Sequence, residues 1–178
     1  MSQAEESPYD LVIAGGGAAG FFAAIACAEV YPGARVCILE KGRRVLSKVK
    51  ISGGGRCNVT HACYDPKELV EYYPRGSKQL RGPFYHWAPA DTMEWFEAHG
   101  VPLKVESDNR VFPQSDDSQT IIDCLINTAR RAKVEILTNT EILDAVAIPT
   151  RGFSLQISGG SSINTRNLVL SLGGIRNR

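Results

Sequence analysis

The feature that most constrains this chain is a glycine-rich turn between a short apolar run and a helix-forming stretch. Residues 11–14 are apolar without interruption, as in a parallel strand buried on both faces. Gly15-x-Gly17-x-x-Gly20 follows, and 21–28 then has the composition of an apolar helix. A second strand over 35–39 and the acid Glu40 complete the roughly 30 residues of a strand–helix–strand crossover. The pattern predicts a doubly wound α/β fold with a parallel central sheet.

Each glycine of this turn meets a different steric need of a bound dinucleotide. Gly15 allows the tight turn out of the strand, Gly17 lets a pyrophosphate approach the backbone, and Gly20 lets the helix lie close to the sheet. The phosphates would bind to open amides at the positive end of the helix dipole. Glu40 would accept hydrogen bonds from the ribose hydroxyls. We therefore predict a dinucleotide site, with an ordinary buried loop and helix as the alternative.

The composition and net charge limit the classes of partner that we expect for this chain. The chain has 178 residues, 43% of them hydrophobic and 22% charged, with a net charge of +1. A balance this close to neutral gives no overall field toward nucleic acid or an anionic membrane. The uncharged stretch 11–28 is long enough to suggest a membrane span, but its glycines would break a spanning helix. We predict a globular protein with no nucleic-acid partner and no membrane segment.

The cysteines indicate a reducing compartment. The chain has five of them, an odd number without the spacing of a disulfide framework. Such usage is typical of reduced thiols and predicts a cytoplasmic protein. Cys57, His61 and Cys63 are close in sequence, but they offer only three metal ligands and no second pair. We therefore predict no metal site.

A basic stretch follows the second strand. Residues 41–56 contain six lysines and arginines and no acid. The stretch leaves the carboxyl edge of the predicted sheet, where doubly wound folds bind ligands, so we expect it to contact phosphate. A solvated loop is the alternative.

The basic stretch ends in three consecutive glycines, Gly53 to Gly55, followed by Arg56, Cys57 and Asn58. Because ordering three glycines is costly in entropy, we interpret them as a close approach to a polar ligand or a need for positive φ. A flexible linker is the alternative.

The remaining sequence divides into elements separated by turn signals. A short helix starts near 65–66, 76–87 is irregular and rich in aromatic residues, and helices follow over 90–99 and 118–132. Two short strands fall within 101–112 and a third at 134–137. Alternating side chains with turns at 149–152 and 159–160 predict an antiparallel β-meander over 142–158. A last, buried strand is predicted at 168–172.

These motifs together resemble those of the NAD(P)/FAD-dependent oxidoreductases of the aminoacetone-oxidase type, which share a glutathione-reductase-like FAD domain. The resemblance covers residues 9–174. It rests on 10–20 with Glu40-Lys41, on 110–115 and on 168–174. The most specific part is 51–60, which reads Ile-Ser-Gly-Gly-Gly-Arg-Cys-Asn-Val-Thr. The fold that it implies is a Rossmann-like FAD/NAD(P)-binding domain.

The resemblance further implies a bound FAD, with NAD(P)H as a co-substrate. Glu40 would hold the adenosine ribose, the glycine turn the pyrophosphate, and Ile142 would lie by the adenine. Lys41 and Lys48 would flank the cofactor, and Gly54 to Asn58 would run toward the isoalloxazine. It assigns no acid, base or nucleophile. The implied cofactor-binding set is Gly15, Gly16, Gly17, Ala18, Ala19, Gly20, Glu40, Lys41, Lys48, Gly54, Gly55, Arg56, Cys57, Asn58, Ile142 and Gly173.

The chain departs from the family pattern in two places. Ser171-Leu172 precede the last glycine pair where relatives have Ala-Thr, and relatives are more than twice as long. From the length of the relatives we expect an FAD-binding domain at 9–178 that is incomplete at its C-terminus. Residues 1–8 are polar, and we expect them to form a flexible lead-in.

Three functions stay open. The first is a flavin-dependent oxidoreductase that passes hydride or electrons between NAD(P)H, or a small substrate, and FAD. The others are a non-catalytic nucleotide-binding remnant of such a flavoprotein and an NAD-dependent dehydrogenase domain.

Overall fold

The computed structural model describes residues 8–174, which divide into two compact units. Within these residues the first unit comprises 8–48 and 125–174, and the second comprises 49–124. The predicted lead-in, apart from Pro8, lies outside the described residues, as does 175–178.

The strands are β1 Tyr9–Ala14, β2 Val36–Leu39, β3 Thr60–His61, β4 Leu103–Val105, β5 Arg110–Pro113, β6 Glu135–Leu137, β7 Ile142–Ile148, β8 Gly152–Ile157 and β9 Ser162–Leu170. The α-helices are α1 Ala18–Val30, α2 Ser47–Ile51, α3 Pro66–Leu69, α4 Ser77–Phe84, α5 Pro89–Ala98 and α6 Ser118–Arg131, and short 3₁₀ turns cover Ser52–Gly55 and Val70–Tyr72.

The first unit is built on a six-stranded sheet in the order β6–β2–β1–β9–β8–β7. The pairs β6–β2, β2–β1 and β1–β9 are parallel, whereas β9–β8 and β8–β7 are antiparallel. The strand β1 lies inside the sheet because its apolar residues are covered on both faces; Val12 and Ile13 are fully buried. The predicted Rossmann-like fold, with a parallel central sheet and an antiparallel meander, is confirmed.

Helix α1 packs on this sheet through one apolar face. Phe21, Ala24, Ile25 and Ala28 recur at helical spacing, and all four are buried. Burying a side chain such as Phe21 contributes about 1.5–3 kcal/mol to stability. This packing fixes the N-terminus of α1 at the carboxyl end of β1.

The last strand differs from the sequence prediction. The structure has one nine-residue strand, β9, that pairs with β8 on one side and β1 on the other. Its end is not buried, since Val169 is 37% and Leu170 69% exposed. The prediction was wrong about burial because apolar composition does not show whether other parts of the fold cover a strand.

The second unit contains a small antiparallel sheet in the order β3–β5–β4. The β4–β5 hairpin turns at Asn109, whose φ is +63°, so the predicted pair of short strands is confirmed. Asp65 caps the N-terminus of helix α3, since its side chain accepts the Lys67 N–H at 2.8 Å.

Two stretches in which the sequence predicted no helix are partly helical. Within 76–87, helix α4 forms despite Gly82 and Pro83, which lie in its last turn. Its Phe84 ring lies 5.4 Å from that of Tyr73, so tertiary packing outweighs a weak helix propensity. Within the basic stretch 41–56, α2 and a 3₁₀ turn replace an open loop. Among residues 8–174, every helix is too short or too polar to span a membrane.

Candidate dinucleotide-binding site

In the turn between β1 and α1, backbone atoms leave no room for a side chain at Gly15 and Gly20. Gly15 has φ +109°, and a Cβ there would lie 2.6 Å from the Ser171 carbonyl oxygen. A Cβ at Gly20 would lie 2.1 Å from the Gly15 carbonyl oxygen. A Cβ at Gly17, by contrast, would meet no atom within 4 Å. The turn is therefore tight toward the sheet and open on the side of Gly17.

The N-terminus of α1 presents backbone amides on that open side. Gly17 is the N-cap residue and supplies no side-chain cap, and the first turn contains no acid. Ala18 and Ala19 are exposed. The first amides of a helix have no intrahelical acceptor and lie at the positive end of its dipole. A diphosphate fits this N-terminus, because it is open, has no side-chain cap and has no acidic residue in the first turn of the helix.

Glu40 connects this turn to the one after β2. Its Oε2 accepts the Gly16 N–H at 2.9 Å, and its Oε1 accepts the Gly42 N–H at 2.7 Å. Because each carboxylate oxygen has two lone pairs, both can still accept a hydroxyl. The sequence predicted a ribose contact for Glu40 and did not predict the two backbone contacts.

Ser171 also shapes the turn. In the sequence this residue is notable only as a departure from the family pattern. Its hydroxyl donates to the carbonyl oxygens of Ala14 and Gly15 at 2.9 and 3.0 Å. The signal that could have found it is its place at the end of a strand parallel to β1.

The two predicted lysines lie in different surroundings. Lys48 is exposed, and its Nζ lies 2.7 Å from where a Cβ on Gly173 would be, so the ammonium lies beside that glycine. The Lys41 Nζ lies 4.0 Å from Glu141 Oε1, with both side chains exposed, a pair that contributes little to stability. Ile142 packs against the sheet core formed by Val12, Cys37, Leu39 and Leu155. A role in cofactor binding stays a prediction for Lys41, Lys48, Ile142 and Gly173.

The residues implied to face the isoalloxazine belong to the second unit. Gly53, Gly54 and Gly55 have φ values of +54°, +68° and +89°. The structure therefore has the positive φ that the glycine run suggested. Cβ atoms at Gly54 and Gly55 would meet nothing within 4 Å, whereas one at Gly53 would lie 2.7 Å from the Asn58 nitrogen. The run is tight at its first residue and open at the next two.

Arg56 is held by acids of its own unit. Its guanidinium contacts the Glu106 carboxylate at 2.5 and 3.4 Å and Asp116 at 3.3 Å. It also lies 3.9 Å from the centre of the Phe112 ring. The hydrogen bond to Glu106 is the main reason why the pKa of Arg56 is raised. Glu106 and Asp116 were missed because 50 to 60 residues separate them from Arg56.

Cys57 and Asn58 also have structural partners. Cys57 is buried at φ +63°, and burial raises the pKa of its thiol, so the thiol stays protonated at neutral pH. The Asn58 side-chain nitrogen donates to the carbonyl oxygens of Thr60 at 2.9 Å and Val111 at 3.3 Å. All five cysteines are free thiols. Within residues 8–174 no group of three potential metal ligands clusters.

Comparison with known families gives a match over almost the whole chain. The pattern of the HI0933-like protein Rossmann domain matches residues 9–176. The chain belongs to the HI0933-like Rossmann-domain family. The narrower resemblance to aminoacetone-oxidase-type flavoproteins stays a prediction.

Two relatives of this HI0933-like chain are enzymes of known activity. The ribosomal RNA dihydrouridine synthase of Escherichia coli is 29% identical over 167 residues, which cover 94% of this chain and 40% of that protein. The 3-dehydro-bile acid delta(4,6)-reductase of Clostridium scindens is 30% identical over 162 residues, which cover 91% of this chain and 38% of that protein. The chain therefore spans about 40% of the length of these relatives.

Solved structures show the same fold. The 3-ketosteroid-delta4-(5alpha)-dehydrogenase of Rhodococcus jostii superimposes with a TM-score of 0.66 at 18% identity, covering 93% of this chain and 46% of that one. At this identity the likeness concerns the fold alone.

Proposed function

We propose that this HI0933-like chain binds FAD and forms the cofactor-binding part of a flavin-dependent oxidoreductase. One observation carries the proposal: the uncapped, acid-free N-terminus of α1 lies at a turn that Glu40 holds in shape. A helix N-terminus of this kind favours a diphosphate, and a carboxylate at the end of β2 favours a ribose.

The chain's own residues would divide the work of binding. The amides of Gly17 to Ala19 would hold the pyrophosphate, and Glu40 would accept the ribose hydroxyls. The Lys48 ammonium would offset phosphate charge. When bound, FAD supplies the redox chemistry, taking a hydride from a donor such as NAD(P)H and passing it to a substrate.

The two relatives suggest a class of substrate. Dihydrouridine is uridine with its ring double bond saturated, and a delta(4,6)-reductase acts on ring double bonds. We infer that the whole protein reduces a carbon–carbon double bond conjugated to a carbonyl group. In such a reduction one carbon receives a hydride, which carries both electrons, and the other receives a proton.

Replacing either of two exposed alanines on α1 with glutamate tests the cofactor site. Ala19→Glu places a carboxylate in the exposed first turn of the helix. There it interacts favourably with the helix dipole, which stabilises the chain by about 0.3–1 kcal/mol, but it repels a diphosphate. We expect this variant to stay folded and to lose FAD through gel filtration. Ala26→Glu, at an exposed position further along α1, is the matched control and should retain FAD. Equal FAD retention by both variants would contradict the proposed site.

Anaerobic reduction separates the remaining alternatives. The first alternative is a non-catalytic nucleotide-binding remnant of such a flavoprotein, and the second is an NAD-dependent dehydrogenase domain. FAD that binds and is reduced by NADH or NADPH indicates an oxidoreductase, whereas FAD that binds but is not reduced indicates the remnant. Binding of NAD in the absence of any FAD affinity would favour a dehydrogenase domain.

A further inference from the structure

The second unit has a surface that combines aromatic and basic side chains. We call it the aromatic–basic surface, and it consists of Tyr72, Tyr73, Arg75, Lys78, Arg81, Tyr85 and Trp87. All seven side chains are exposed, and the four aromatic residues range from 40% exposed for Tyr73 to 61% for Tyr72. The sequence 72–90 contains no acid. Four large exposed rings in so short a stretch indicate an interaction site.

Helix α4 presents part of this surface on a single face. Lys78, Arg81 and Tyr85 follow one another at spacings of three and four residues, so they lie on the same side of the helix. Leu80 and Phe84 lie on the opposite side and are half-buried. The apolar side of α4 thus packs on its own unit, and the basic and aromatic side faces solvent.

Contacts within the second unit fix the positions of the other aromatic residues. The rings of Tyr73 and Phe84 lie 5.4 Å apart, so the end of the Val70–Tyr72 turn adjoins the end of α4. Tyr72 and Tyr85 are the chain neighbours of these two residues. The Trp87 ring is anchored, since its Nε1 donates to Thr92 Oγ1 at 2.9 Å. Tyr73 and Tyr85 therefore lie at the same end of α4, whereas the Tyr72 ring lies 4.5 Å from that of His61 and the Trp87 ring is held by α5.

The cations of this surface lack acidic partners. Among residues 8–174, no carboxylate forms an ion pair with Arg75, Lys78 or Arg81. Other cations of the same unit do have partners, such as Arg110 with Asp108 at 2.7 Å and Lys50 with Asp117 at 3.4 Å. The positive charge of the aromatic–basic surface is available to an anionic partner.

We propose that the aromatic–basic surface binds single-stranded RNA. Unpaired bases stack on exposed aromatic rings, and lysines and arginines beside the rings neutralise the phosphates. The sequence analysis predicted no nucleic-acid partner from the net charge of +1. That net charge is a sum over the whole chain, so it does not show a local basic surface. The relative from Escherichia coli, whose name places its product in ribosomal RNA, agrees with this choice of partner. The proposal does not depend on FAD, and its test is carried out with and without the cofactor.

Fluorescence anisotropy with a labelled, uridine-rich single-stranded RNA of about twelve nucleotides tests the proposal. Tyr85→Ala should weaken binding by about 5- to 150-fold, the range expected for loss of one stacked base. Tyr85→Phe keeps the ring and should bind as the unaltered chain does. Tyr31→Ala removes a 66% exposed ring from the first unit and should also leave binding unchanged.

Salt dependence tests the role of the cations. Arg81→Gln should reduce the slope of log K against log salt by about 0.7, the value for one lost phosphate contact on a single strand. Arg130→Gln, an exposed arginine of α6 in the first unit, is the control and should leave the slope unchanged.

Three results would overturn the proposal. The first is equal RNA affinity in Tyr85→Ala and Tyr85→Phe. The second is equally tight binding to a duplex of the same length, and the third is binding to vesicles with anionic lipids but not to RNA. None of these results bears on FAD retention, so failure here and failure of the proposed function are distinguishable.

Discussion

The Glu40 carboxylate accepts the Gly16 backbone N–H at 2.9 Å, and through its other oxygen it accepts the Gly42 N–H. The glycine turn and the turn after β2 are therefore joined by one side chain. An acid at this position has two tasks, since it shapes the turn by itself and offers acceptors to a ribose. The two tasks can be separated by experiment.

We expect Glu40→Gln to destabilise the chain. An amide has only one oxygen, so one of the two backbone N–H groups would face an NH₂ group and lose its acceptor. The cost should be about 1–3 kcal/mol in the free energy of unfolding, measured by urea denaturation. Glu97→Gln, on the exposed side of α5, should change it little. A Glu40→Gln variant as stable as this control would show that the lost backbone contact contributes nothing.

The close approach of α1 to its turn can be tested at Gly20. Gly20→Ala places a methyl group 2.1 Å from the Gly15 carbonyl oxygen, so the helix must move away from the sheet. We expect a loss of about 1–3 kcal/mol of stability, as for other overpacked sites, together with weaker FAD binding. Gly33→Ala is the control, because its Cβ would meet nothing within 4 Å. Similar melting temperatures for the two variants would contradict the structure.

The glycine run of the second unit allows a test with an internal control. Gly53 and Gly54 both have positive φ, so alanine at either site should cost about 1–2 kcal/mol from backbone strain. Only at Gly53 would the new Cβ also collide, at 2.7 Å from the Asn58 nitrogen. Gly53→Ala should therefore lower the thermal midpoint more than Gly54→Ala does. The reverse order would show that the turn has a different shape.

Alkaline pH should destabilise the first unit through Cys37. Burial, followed by the charge of Glu135, raises the pKa of this thiol from 9.0 to about 12. The folded state thus holds the proton more tightly than the unfolded state. This tighter binding of the proton contributes to the free energy of unfolding. The contribution is fully present below pH 9 and is lost as the pH rises toward 12. Comparing unfolding free energies over this range, we expect a shallower decline for Cys37→Ala than for the unaltered chain. Parallel curves would show that the thiol titrates normally.

The sequence predicted the elements whose signals are local. The β1–turn–α1–β2 unit, the β4–β5 hairpin and the meander all follow from short runs of alternating or continuous apolar residues and from turn residues. Helix α4 was missed because Gly82 and Pro83 suggest a break, whereas the contact between Phe84 and Tyr73 stabilises the helix. The aromatic–basic surface was missed with it, since its face exists only once the helix has formed.

By itself the sequence determined the strand–turn–helix–strand unit, because the spacing of its glycines and apolar residues is set by neighbours within about 30 residues. The tertiary structure alone decided what the polar side chains contact. The pairing of Arg56 with Glu106 and Asp116, and of Ser171 with the turn at Gly15, joins positions far apart in the chain. Such contacts depend on how the chain folds back on itself, and no local pattern records them.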